Sequence, residues 1–150
     1  MSQTSNIYGA VNTLMTTLFS DKKQLSDSLN IENNDDLFLA DGYAIYFGPA
    51  VNTRRMVGCK FSVSRSISIT LTKAIRGTHK DLTKIKAGEK SLLENQFTLI
   101  KDFSQNQIIS DVSSKRNFVS DNGIERVFGD DKHYLMIETI FDIEYFENLA

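Results

Sequence analysis

Residues 133–147 read HYLMIETIFDIEYFE, and the parity of this stretch decides the architecture. His133, Leu135, Ile137, Thr139, Phe141, Ile143 and Tyr145 fall on one side of a two-residue period, nearly all of them able to pack. Tyr134, Met136, Glu138, Ile140, Asp142, Glu144 and Phe146 fall on the other, where acids alternate with apolar groups. A strand this long, with one committed face and one mixed face, needs more partners than a small monomer easily supplies. The pattern predicts a protein that works by assembling with copies of itself.

Just upstream, residues 124–128 (IERVF) read as a short strand and residues 129–132 as a tight connection, so the end of the chain is an antiparallel hairpin. Residues 113–123 are polar and close on Asp121-Asn122-Gly123, a turn signal. Ile108, Ile109 and Val112 fit either a short strand or the packed side of a loop. A long helix is predicted over 81–105, with Leu82, Ile85, Leu92, Leu93, Phe97, Ile100 and Phe103 as its apolar stripe and Gly88 as a kink or the start of its better-formed part.

Before that helix, Cys59, Phe61, Val63, Ile67, Ile69 and Leu71 share one parity, interrupted only by Arg65. Ser62, Ser64, Ser66, Ser68, Thr70 and Thr72 hold the other, as in a half-exposed strand, and one bent or bulged strand fits better than a hairpin. Residues 75–78 break it. Asp41-Gly42 marks a turn, Tyr43, Ile45 and Phe47 a short strand, and Gly48-Pro49 its end, leaving residues 50–58 as a loop or the start of the next strand. A first helix spans residues 5–19 on Ile7, Val11, Leu14 and Leu18, with Ser5 or Thr4 as cap and Gly9 weakening it slightly. Leu25 and Leu29 suggest a short second helix before the polar connector at residues 32–36. The order predicts an α+β fold: a mostly antiparallel sheet of about four to five strands, with an N-terminal helix and a long central helix packed on one face.

A length of 150 residues suits one domain, 1–150, and 41% hydrophobic residues suffice for a core. A net charge of −2 gives no bulk attraction to nucleic acid. Cys59 is the only cysteine, which excludes an internal disulfide or a thiolate cluster within one chain, and its neighbours place it in the core. No leader pattern or membrane-length apolar run is visible, so the expectation is a soluble protein of a reducing compartment or one indifferent to redox state.

No catalytic, cofactor-binding or metal-binding set stands out. His79 and His133 are the only histidines, and no helical spacing links them. The acid pairs Asp35-Asp36 and Asp130-Asp131 read as surface features. Glu138, Asp142 and Glu144 share a strand face, as paired catalytic carboxylates would, but an acidic stripe facing solvent or a neighbouring subunit is the plainer account. Glycines occur singly, so there is no phosphate-cradling loop. Residues 73–90 carry Lys73, Arg76, Lys80, Lys84, Lys86 and Lys90, with His79 among them, against Asp81 and Glu89. Bases on one element and acids on another suit two complementary surfaces of a ring, with Glu138, Asp142, Glu144, Lys80, Lys84 and Lys86 as interface candidates. Lysines kept for solubility are the plain alternative. Arg54 and Arg55 are candidates for a lumen or loop rim.

The opening helix SNIYGAVNTLMTTLF, the strand block KFSVSRSISITLTKAI, the helix through SLLENQFTLIKDF and the final pair IERVFGDDKHYLMIETIFDIEYFE together resemble the tail terminator (tail completion) family of long-tailed bacteriophages. That family is recognised by architecture, so no contact residue transfers by position. The resemblance implies a homohexameric ring in the virion, assembled in the host cytoplasm. Such a ring sits on the last ring of the tail tube, ends its polymerisation and presents a surface for head attachment. The implied partners are further copies, a tail tube protein and a head completion or neck protein, with DNA only passing through the lumen, no membrane and no cofactor. Another neck protein is the nearest alternative. Two other classes remain: a small enzyme or ligand-binding domain with a pocket around His133 or Glu138, and a nucleic-acid module using Lys80, Lys84, Lys86 and Lys90.

Overall fold

The computed structural model describes residues 2–24, 41–55, 58, 60–75, 81–128 and 133–148. The readings placed on Cys59, Leu25, Leu29, residues 32–36, His79, Lys80, Arg76 and residues 129–132 lie outside that set. In chain order the elements are α1 (Gln3–Leu18), β1 (Lys23–Gln24), β2 (Gly42–Arg55), β3 (Lys60–Ala74), α2 (Leu82–Gln105), α3 (Gln107–Val112), β4 (Lys115–Phe128) and β5 (His133–Asn148). They build an α+β fold around one five-stranded sheet, in the order β1-β2-β3-β5-β4. Only the two-residue β1 is parallel to its neighbour.

The parity of β5 sets the layering. Leu135, Ile137, Thr139, Phe141, Ile143 and Tyr145 are buried; in register Phe141, Thr139 and Ile137 meet Ile67, Ile69 and Leu71 of β3, which in turn meet Phe47, Ile45 and Tyr43 of β2. Both long helices lie on this face. Phe103 of α2 stacks on Phe141 at 4.1 Å between ring centroids, while α1 contributes Tyr8 against Phe47 and Phe19 against Tyr43. β5 runs between β3 and β4, so of the partners that so long a strand needs, those for its backbone ladder are supplied within the chain. What remains open is part of its second face.

Several sequence expectations are revised. The first helix begins earlier than residue 5 and is capped by Ser2, whose Oγ accepts from the Ser5 N–H at 3.2 Å; Thr4 is engaged elsewhere. Gly48-Pro49 does not end β2. The register shifts between Phe47 and Ala50, and this bulge accommodates the proline, which has no N–H to give a ladder, so residues 50–55 continue the strand. Asp121-Asn122-Gly123 is likewise a bulge inside one 14-residue strand, with Gly123 at φ +76° and its N–H donating to Asp121 Oδ1 at 2.8 Å. Residues 107–112 form a short helix capped by Asn106, neither strand nor loop. The hydroxyl parity of β3 is less exposed than predicted: Ser62, Ser68, Thr70 and Thr72 are buried between β2 and β5, and Thr72 Oγ1 accepts from the Gly42 N–H at 3.0 Å.

The stripe of α2 also shifts. Its buried residues are Ile85, Gly88, Leu92, Gln96, Leu99 and Phe103, whereas Leu82, Leu93 and Phe97 are exposed. At about 100° per residue, Phe97 sits roughly 120° round the axis from Phe103. Gly88 does not mark the start of the helix, since α2 begins after Asp81, whose carboxylate accepts from the Lys84 N–H. It is a point of close approach: a Cβ there would stand 2.8 Å from Ile75 Cδ1 and 3.0 Å from Leu135 Cδ1.

Candidate interaction surfaces

The even-numbered side chains of β5 point away from the helices. In register with β3 they form the rows Thr72·Met136, Thr70·Glu138, Ser68·Ile140, Ser66·Asp142, Ser64·Glu144 and Ser62·Phe146. One half of this face is closed, with Ala44, Thr70, Thr72 and Tyr134 buried. The other half is open: Asp142 is exposed, and Tyr46 and Phe146 are 48% and 44% accessible despite their size. The three predicted acids therefore share a face but differ in environment. Glu138 accepts from Asn122 Nδ2 at 2.8 Å, and Glu144 accepts from Ser62 Oγ at 3.2 Å while facing Lys115 in register. Asp142, between Ser66 and Asn117, has no charged neighbour in register.

The predicted basic set is divided by the fold. Lys73 is drawn to the sheet, where its Nζ bonds Asp41 Oδ2 at 2.8 Å; Lys22 reaches the same carboxylate at 3.7 Å, and the Ala74 N–H donates to it as well. Burial alone would raise the Asp41 carboxyl, but the Lys73 bond, the Ala74 N–H and the charges of Lys73 and Lys22 together hold it below its ordinary value. Lys84 and Lys86 are both exposed but lie about 160° apart round α2, so they do not form one patch. Lys86 and Lys90 do share a flank, with Leu93 and Phe97 beside them at 47% and 68% accessibility. Glu89 on the same side is occupied by Arg126 of β4 at 2.6 Å, and Glu94 stands about 40° from Lys90, so the flank is apolar with a small basic excess. Sequence reasoning placed Leu93 and Phe97 in the core; the angular spacing from Phe103 was the signal that would have moved them out.

Arg54 and Arg55 pair through the backbone with Ser62 and Phe61 at the end of β2, and their side chains lie outside the described set. Arg65, the exception in the apolar parity of β3, is a structural clamp. Its Nη1 donates to the Gly48 carbonyl in the β2 bulge at 2.7 Å, and its Nε donates to Tyr145 Oη at 3.1 Å. Tyr145 Oη lies 2.9 Å from Thr4 Oγ1, which with the Thr4 N–H donates to Glu147. Burial would raise the Glu147 carboxyl, but the bonds from Thr4, the Gln3 N–H and the charge of Arg65 lower it. A carboxylate at the amino end of α1 is also well placed against the helix dipole.

His133 and Glu138 do not converge, because the odd and even residues of β5 face opposite sides of the sheet. Among the described residues, one surface depression is lined wholly by the outer side of α2 from Lys86 to Thr98 and another lies between α1 and the end of α2; neither of these includes His133 or Glu138. Among the described residues, no three His, Cys, Asp or Glu side chains gather as metal ligands, and no helix is long and apolar enough to cross a membrane. No protein-family model and no curated protein sequence matches this chain.

Proposed function

We propose that the chain is the subunit of a structural ring of the tail-terminator kind. Copies join head to tail as a homohexamer that caps the tail tube, stops further tube growth and offers the opposite surface to a head completion or neck protein. The observation that carries this reading is the placement of charge. Lys86 and Lys90 lie on the outside of the helix layer, while Asp142 lies on the open face of the sheet beneath it. A five-stranded sheet and its helices stand between them, so they cannot satisfy one another within a chain and are free to do so between chains. Two different surfaces that attract each other make a heterologous contact, which generates a ring when the rotation closes. The fourteen- to sixteen-residue strands β2 to β5 supply a stiff slab that fixes that rotation.

Native mass measurement tests the reading: a species near six chain masses, or rings formed when isolated tail tubes are added, is the expected result. Glu138→Lys with Asp142→Lys should weaken ring formation while leaving the monomer folded. Unchanged sedimentation of that variant at matched concentration counts against the assigned surface.

A further inference from the structure

Resting on the ring reading, we infer that each copy seats Leu93 and Phe97 of α2, with Lys90 beside them, on the open half of the next copy's sheet, where Asp142, Tyr46 and Phe146 stand. The occupant is a second copy of this chain because both halves of the contact are present in it and match in charge and spacing. Lys90 and Phe97 are seven residues apart, about 10 Å along a helix. On the receiving face Asp142 lies four residues from Phe146, about 13 Å along β5. Tyr46 lies two strands and two residues away from Asp142, about 12 Å. The flank thus sets the cations Lys86 and Lys90 beside one large aromatic, and the receiving face sets Asp142 among two, at similar separations whose difference side-chain reach absorbs. Glu144 and Lys115 on that face stand opposite each other in register. Glu94, also exposed, lies about 40° round the axis from Lys90 and about 60° from Phe97 on the same flank, which keeps a net positive charge through Lys86 and Lys90 together. Phe97 has the profile of an interface anchor: large, aromatic and unsupported in the isolated chain.

The test is sedimentation of the full chain across a concentration series, with circular dichroism confirming that every variant stays folded. Phe97→Asp should raise the concentration needed for assembly by at least about tenfold. Lys90→Glu and Asp142→Lys should each weaken assembly, and the combined Lys90→Glu/Asp142→Lys chain should recover most of the loss. A benzophenone amino acid replacing Phe97 should, on illumination, crosslink to a peptide of another copy containing Asp142 or Phe146. If the native chain assembles but Phe97→Asp, the charge exchange and the crosslink leave no trace, the docking mode is wrong and the ring reading stands. A native chain that stays monomeric at the highest soluble concentration, with no crosslink and no rings on added tubes, overturns both.

Discussion

Gln96 offers a sharp test of how α2 is held over the sheet. It is 7% accessible, and its Nε2 donates one proton to Thr139 Oγ1 at 3.1 Å and the other to Asp121 Oδ2 at 3.0 Å. Thr139 is fully buried in β5, whereas Asp121 is on the exposed β4. Gln96→Leu keeps most of the volume but leaves the Thr139 hydroxyl without its donor where water does not reach, a loss of about 1–3 kcal/mol; Asp121 re-solvates at little cost. Thr139→Val strands one amide proton of Gln96 and costs about the same. With both replaced, neither polar group remains to be satisfied, and the double variant should lie within about 1 kcal/mol of the native chain. Urea unfolding at fixed protomer concentration reads this directly. Each single variant should lower the midpoint by roughly 0.5–1.5 M at a slope of about 2 kcal/mol/M, and the double variant should recover. Additive losses, or a double variant worse than either single, would show that the three side chains do not form the coupled unit described.

Two glycines in helices should respond oppositely to the same change. Gly9→Ala meets no atom within 4 Å and should stabilise by about 1 kcal/mol in thermal unfolding. Gly88→Ala carries the same helical gain but presses on Ile75 and Leu135, and overpacking of about 1–3 kcal/mol should make it neutral to destabilising. The carboxyls of Asp41 and Glu147 are both held below their ordinary values, so each stabilises the fold above its unfolded-state value. That contribution is lost as the pH falls through the folded value, and Asp41→Asn or Glu147→Gln should be less stable at neutral pH with a shallower decline in acid. Arg65→Lys cannot span both Gly48 O and Tyr145 Oη as the planar guanidinium does, and should lose about 1–2 kcal/mol in chemical denaturation.

The alternation in β3 and β5 was legible because side-chain parity survives any register, and it led correctly to a mostly antiparallel sheet with helices on one face. What misled were residues whose local meaning is a stop. Gly48-Pro49 and Asp121-Asn122-Gly123 are ordinary turn sequences, yet long neighbouring strands hold both as bulges inside continuous pairing. Arg65 looked like a break in the apolar parity, although its partners are a carbonyl and a phenol that no local pattern reveals. The acids of β5 were correctly put on one face, but the lysines of α2 were grouped by proximity in sequence when the helix turns Lys84 away from Lys86. Leu93 and Phe97 show the limit most clearly: an apolar residue on a helix signals contact without saying whether the contact lies in the same molecule.

The place of β5 also constrains how the molecule comes into being. Of the described strands it leaves the ribosome last, yet it fills the gap between β3 and β4. Until its sixteen residues are available, the earlier strands present unfinished edges, α2 lacks Phe141 beneath it and α1 lacks Tyr145. Nascent chains should therefore be open to proteases and prone to pairing with one another, and loss of even the last few residues of β5 should harm yield more than its small size suggests.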